Sequence, residues 1–269
     1  MENRLREKGI STALITGATS GIGLTFARTL ASYGCNLVLV SNEAEKLPVV
    51  AAELTAGKEI SVRYLYQDLS VCGAARQVYD YCERKGLKVD LLINNAGFFS
   101  FNEVTDTDPM VVDGMVTLHT LTVAQLCRLF AEKRKREGKG GYILNLSSLA
   151  AWMPFPGIAL YSATKAFVRS FSSALHDELK ESNIHVMALC PGGVNTDLYG
   201  LPPRLIRAGV RMGILVPSQQ VVDKALNALF KGKAVYVPGW LSRIMIPLFP
   251  LIPRFVWRRI NSRLAVYHR

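Results

Sequence analysis

The chemistry in this chain centres on Tyr161 and Lys165, in the stretch Tyr-Ser-Ala-Thr-Lys, and on Ser148 thirteen residues upstream. On a helix, Tyr161 and Lys165 stand at i and i+4, one above the other on the same face. A phenol ionises near about pH 10 and is a poor acid or base at neutrality. An ammonium group one turn away stabilises the phenolate and brings the tyrosine into range for proton transfer. A serine hydroxyl at the end of a neighbouring strand can hydrogen-bond a carbonyl oxygen and keep it facing the phenol. Together these groups move a proton to or from an alcohol or ketone oxygen, and what they lack is a hydride carrier. Many ordinary helices carry a Tyr-x-x-x-Lys pair, so the weight falls on the elements that must position it.

Those elements alternate. Residues 10–16 read as a short buried strand, followed by Gly17-Ala18-Thr19-Ser20-Gly21-Ile22-Gly23 and an apolar-periodic helix to about Tyr33. A glycine-rich turn between strand and helix lets the backbone approach a pyrophosphate, whose charge the helix N-terminus favours. Further strands are expected at 35–41, 60–66, 89–93, 142–147, 184–190 and 234–237, with helices at 43–56, 70–86, 108–136, 161–181 and 218–230 between them. This order predicts an α/β fold, a doubly wound parallel β-sheet of about seven strands with helices on both faces. Polar or glycine-rich groups follow the strand ends at Gly17, Ser41, Asp68, Asn95, Ser148 and Pro191. In such sheets the carboxyl ends of the strands line the ligand crevice.

Composition bounds the rest. The chain of 269 residues is 49% hydrophobic, enough for one large domain without reaching a membrane-protein figure. Five scattered cysteines without a Cys-x-x-Cys pair argue against a disulfide framework or a zinc site, suit a reducing compartment, and leave no metal expected. The start has no apolar run after its charges, so no secretory signal is expected and the cytoplasm is the expected location. Residues 1–199 hold 20 basic and 20 acidic side chains, whereas 200–269 hold 12 basic and one acidic, Asp223. The net charge of +11 therefore sits in the last quarter, which lacks a nucleic-acid recognition motif. No nucleic-acid partner is expected.

Thr16-Gly17-x-x-x-Gly21-Ile22-Gly23, Asn94-Asn95-Ala96-Gly97, Ser148, Tyr161-x-x-x-Lys165 and Pro191-Gly192 occur in the order and spacing of the short-chain dehydrogenases/reductases. The chain resembles that family over roughly residues 10–198, and within it the branch acting on hydroxysteroids, 3-ketoacyl chains and ketosphinganine. The resemblance implies that Tyr161 is the general acid/base, that Lys165 tunes it and holds the nicotinamide ribose, and that Ser148 orients the carbonyl. It implies a phosphate turn of Gly17, Ser20, Gly21, Ile22 and Gly23, with Asp68 and Leu69 near the adenine. Asn95, Ala96 and Gly97 would line the adenosine ribose side, Pro191 and Gly192 would belong to the cofactor site, and Val194 and Thr196 would hold the carboxamide. The implied reaction interconverts a ketone and a secondary alcohol on an apolar substrate. A dinucleotide-binding regulator without turnover, or an isomerase or dehydratase on the same fold, is the alternative. Pairing through the long helices around 110–136 and 159–181 would give a homodimer or homotetramer.

Two positions depart from the family pattern. His119 occupies the place of an asparagine that helps hold a relay water near Lys165; it reads either as a proton relay in its own right or as a core histidine satisfied by backbone. At the end of the second strand, Ser41 and Asn42 are neither acid nor base, with Glu43 one further on, which tilts the expectation to NADP(H) over NAD(H). Residues 1–238 read as one domain with a substrate lid at about 196–213, and 239–269 as an apolar, basic extension. Proline at 247, 250 and 253 rules out a spanning helix there, and the tryptophans and arginines of 240–263 suit either a membrane interface or a cover over the pocket.

Overall fold

The structure, a computed structural model, describes residues 2–153, 155–195 and 215–249. Thr196, the expected lid and the tail beyond residue 249 lie outside the described residues. In chain order the elements are α1 (Glu2–Glu7), β1 (Thr12–Thr16), α2 (Gly21–Ser32), β2 (Asn36–Ser41), α3 (Lys46–Thr55), β3 (Val62–Tyr66), α4 (Ala74–Arg84) and β4 (Leu91–Asn94). They continue with α5 (Pro109–Val116), α6 (Thr122–Arg136), β5 (Gly141–Leu146), α7 (Ala159–Glu178) and β6 (Ile184–Leu189). Last come β7 (Gly193–Asn195), β8 (Leu215–Pro217), α8 (Ser218–Phe230), β9 (Val235–Tyr236) and α9 (Trp240–Leu248).

Seven strands form one sheet in the order β3-β2-β1-β4-β5-β6-β9, and every adjacent pair runs parallel. The apolar runs of β1, β2, β4, β5 and β6 are buried on both faces, as parallel strands between helices must be. Successive residues then divide between two cores. Ala13, Ile15, Leu37, Leu39, Leu91, Ile93 and Leu144 pack with α2, α3 and α8. Leu14, Val38, Val40, Leu92 and Ile143 pack with α4, α6 and α7. The order reverses between β1 and β4, so their carboxyl ends splay apart and open the crevice there.

Two helices were not foreseen. α1 seats Leu5 in the first core, and α9 forms despite Pro247, which falls in its last turn. The expected long helix is present from Pro109 to Arg136, capped by the Asp108 carboxylate accepting from Met110 N–H at 2.7 Å. It is interrupted by a π-turn at Thr117–Leu121 that holds His119. Among the described residues this is the one helix long and apolar enough to cross a membrane; Val123, Leu126 and Phe130 on it pack into the second core.

Candidate functional site

The crevice is a cavity of about 680 Å3 at the carboxyl ends of the strands. Of the residues expected to bind a cofactor, Gly17, Ser20, Gly21, Ile22, Ser41, Asn42, Asp68, Leu69, Asn95, Ala96, Gly97, Tyr161, Lys165, Pro191, Gly192 and Val194 line it, and so does Ser148. Gly23 lies beneath instead. A Cβ there would fall 2.1 Å from the Gly17 carbonyl oxygen, so only glycine lets α2 start this close to β1. Gly17 has φ +62, and a Cβ on it would stand 2.9 Å from the Ala96 Cα. The turn is braced from across the sheet: Thr16 Oγ1 accepts from the N–H groups of Asn95 and Ala96, each at 3.0 Å. Asn95 Nδ2 donates to the carbonyls of Thr16 and Gly17 at 3.0 Å.

Ser20 precedes α2 in extended conformation without capping it, and the first turn of α2 carries no acid. Its leading amides are left for an anion, which the helix dipole also favours. The narrow glycine cradle and these amides fit the pyrophosphate of a nicotinamide dinucleotide. Asp68 Oδ1 accepts from the N–H and hydroxyl of Ser70 at 2.8 and 2.6 Å, which fixes the turn after β3.

At the other end, β5 delivers Ser148 and the first two turns of α7 deliver Tyr161 and Lys165. Lys165 Nζ stands 5.6 Å from the centre of the Tyr161 ring and donates to the Leu146 carbonyl at 3.0 Å. Burial pushes the lysine down to about 8, with Cys190 opposing the shift. Ser148 Oγ accepts from Ala150 N–H at 3.1 Å, which orients the hydroxyl at the cavity wall. The Tyr161 ring is flanked edge-on by Phe99, at 5.0 Å between centres, and by His119 at 5.8 Å. Behind them a buried polar chain ties three elements together. Asn94 Nδ2 donates to Asn145 Oδ1 at 2.8 Å, and Asn145 Nδ2 to Ser172 Oγ at 2.9 Å.

His119 is 1% exposed and lies behind the cavity wall. Phe98 N–H donates to its Nε2 at 3.3 Å, and its Nδ1 is 3.0 Å from Thr164 Oγ1. Gly97 makes the approach possible: a Cβ there would sit 2.9 Å from His119 Nε2 and 3.4 Å from Lys165 Nζ.

A family model described as short chain dehydrogenase matches residues 11–201. The chain belongs to that family. It is 36% identical to the very-long-chain 3-oxoacyl-CoA reductase of Anas platyrhynchos over 193 residues, 69% of this chain and 60% of that protein. The chain thus spans about 60% of the length of that relative. A solved 7beta-hydroxysteroid dehydrogenase is 26% identical with a TM-score of 0.85, covering 96% of this chain and 99% of that one. A short-chain dehydrogenase from Sphingobium yanoikuyae, solved in complex with NADPH, is 30% identical with a TM-score of 0.76, covering 96% of each chain. The hydroxysteroid and 3-oxoacyl branch is thus where its relatives lie.

Three residues of this short-chain dehydrogenase site escaped the sequence reading. At the rim beside β2, Thr19 Oγ1 and Ser41 Oγ are 2.8 Å apart, and Thr19 also donates to Glu43. Lys46, the first residue of α3, bonds Glu43 and lines the cavity. The lysine bond, then the threonine bond, hold the Glu43 carboxyl below its usual range. Lys46 lies five positions beyond Ser41, and only the turn into α3 brings it back to the rim. Thr164, between Tyr161 and Lys165, is the third, and its hydroxyl faces His119. Beyond Gly192 the site meets α9: a Cβ on Gly192 would fall 2.7 Å from Ser242 Oγ.

Proposed function

We propose that this protein interconverts a ketone and a secondary alcohol on an apolar, steroid-like or acyl-chain substrate, using NADP(H) in preference to NAD(H). The observation that carries the reading is Tyr161 on the cavity wall with the Lys165 ammonium at its ring and Ser148 facing the same space. A bound nicotinamide dinucleotide supplies the hydride. The remaining work falls to the chain. Ser148 donates to the substrate oxygen and holds it toward the phenol. Tyr161 gives that oxygen its proton in reduction and takes it in oxidation. Lys165 stabilises the charge left on the tyrosine. Phe99 and the neighbouring aromatic pair of Phe101 and Phe155, 6.4 Å apart, offer an apolar shelf beside the tyrosine.

The preference for NADP(H) is supported by the rim. The acid that would hydrogen-bond a ribose hydroxyl, Glu43, is engaged by Thr19 and Lys46, and Lys46 brings positive charge to the cavity. Exposed apolar residues on the long helices, Leu121 and Phe167, support assembly of like chains through that face. Trp240, Ile244 and Leu248, four apart on α9, are also exposed, and they join the basic C-terminal quarter in supporting contact with an anionic membrane surface. Failure to sediment with anionic vesicles at low salt would remove that contact.

The deciding experiment follows oxidation of NADPH and NADH against a panel of steroid, 3-ketoacyl and long-chain ketones, with Tyr161→Phe alongside. The expected result is turnover that favours NADPH and falls about 10²–10⁴-fold in the variant. Equal efficiency with both cofactors overturns the preference. Cofactor binding without turnover on any ketone would turn the reading to a dinucleotide-binding regulator.

A further inference from the structure

We propose that His119 is a positioning residue: an imidazole held in one tautomer, tying the loop after β4 to the backbone of Tyr161 and carrying no proton in the reaction. The inference rests on the reductase reading above for its kinetic consequence, but its geometry stands by itself. Phe98 N–H donates to Nε2, so that nitrogen is an acceptor without a proton. The Thr164 hydroxyl has a single proton, and it goes to the Tyr161 carbonyl at 2.9 Å. Only its lone pairs are left for the imidazole, so Nδ1 must be the N–H. The bonds all run one way, from Phe98 N–H through His119 and Thr164 to the Tyr161 carbonyl. A peptide N–H at one end and a peptide carbonyl at the other cannot reverse them.

A relay needs a nitrogen that gains and loses a proton. Protonating Nε2 would set donor against donor at Phe98 and place a second cation beside Lys165. Burial first, and then the Lys165 charge, push the imidazole well below its ordinary range. The titratable groups facing it, Lys165 and Tyr161, both come from α7; the loop after β4 presents only Gly97 and Phe98. Among the described residues no carboxylate acts on it. The ring also makes an edge contact to the Tyr161 ring. His119 therefore holds the tyrosine at both its ring and its backbone. The π-turn at Thr117–Leu121 swings residue 119 to the gap between loop and helix, and an imidazole spans that gap directly. An asparagine side chain is too short to reach both partners.

The first test is nitrogen-15 NMR of histidine-labelled full-length protein from about pH 5.5 to about pH 9, where an ordinary imidazole titrates. The His119 signals, assigned by their loss in His119→Gln, are expected to show the Nδ1–H tautomer unchanged throughout. Titration within that range, or the Nε2–H tautomer, overturns the proposal. The second test is kinetic. His119→Gln, His119→Asn and Thr164→Val should each lower kcat, by about tenfold for Asn through misplacement of the phenol, with the limbs of the pH profile unmoved. Glutamine, whose amide oxygen reaches the Nε2 position, should retain more activity than asparagine. A limb that vanishes in the His119 variants but persists in Thr164→Val makes the imidazole a relay. If no ketone is turned over, the reductase reading fails, while the tautomer measurement still decides the clamp.

Discussion

Two buried cations sit at opposite edges of the same sheet, and the fold treats them differently. Arg134, in the last turn of α6, is 7% exposed and meets Asp90 at 3.1 Å. Its Nε donates to the Gly140 carbonyl at 2.7 Å, and Asp90 Oδ2 accepts from Ser11 N–H, Ser11 Oγ and Thr12 N–H. This knot closes the amino ends of β1, β4 and β5. Lys165, 4% exposed at the carboxyl ends, has the Leu146 carbonyl, and no carboxylate among the described residues forms a salt bridge with it. Charge is balanced where the chain only has to close the sheet. It is left open at the cavity, where the proposed proton transfer requires a shifted proton equilibrium.

The sharpest way to break this contrast is to remove the paired cation. Arg134→Met leaves the Asp90 carboxylate buried without its partner and is expected to cost about 3–5 kcal/mol in denaturant unfolding. The kcat of the molecules that remain folded should be unchanged. Lys165→Met should do the reverse, lowering kcat by about 10²-fold without lowering Tm at neutral pH. The sign follows from burial. The folded lysine sits at about 8, below its unfolded value near 10.4, so the unfolded chain binds more protons between those values. This group's contribution to stability therefore rises with pH across that window and opposes folding below it. A melting profile against pH that rises less in the variant would show this. The rate of ketone reduction should decline as pH passes through about 8, where the ammonium is lost. A reduction rate still flat well above that value would contradict the role given to Lys165.

The smallest effect sharpens the comparison from outside. Arg28 meets Glu53 with two N–H donors at 2.7 and 3.0 Å, a geometry as good as that of Arg134, but both side chains are about half exposed. Arg28→Ala should cost under about 1 kcal/mol. A loss as large as that of Arg134→Met would mean that pairing geometry rather than burial divides the cations.

Much of this architecture was legible before any coordinates. Apolar runs bounded by glycine and polar turns marked the five inner strands of the sheet, because a strand buried on both faces leaves that record in consecutive residues. That the glycine turn, Asn95, Ser148, Tyr161 and Lys165 meet at the cavity was legible for a similar reason: each lies within a few residues of a strand end or on one helical turn. The helices at Glu2–Glu7 and Trp240–Leu248 were not. The first is six residues long, and the second contains a proline, so neither carries a clear periodic signal.

The sequence by itself determined which strands exist, which groups follow their ends, and that a tyrosine and a lysine share a helical face. Local spacing is enough for all of these. Tertiary structure alone decided the partners separated by long stretches of chain. It brought Asp90 to Arg134, Phe98 and Thr164 to the two nitrogens of His119, and Thr19 to Glu43 at the cavity rim. Residue type and position left His119 open between a proton relay and a core histidine satisfied by backbone. What separates them is the direction of four hydrogen-bonding groups drawn from three segments, and a direction of that kind has no signature in residue spacing.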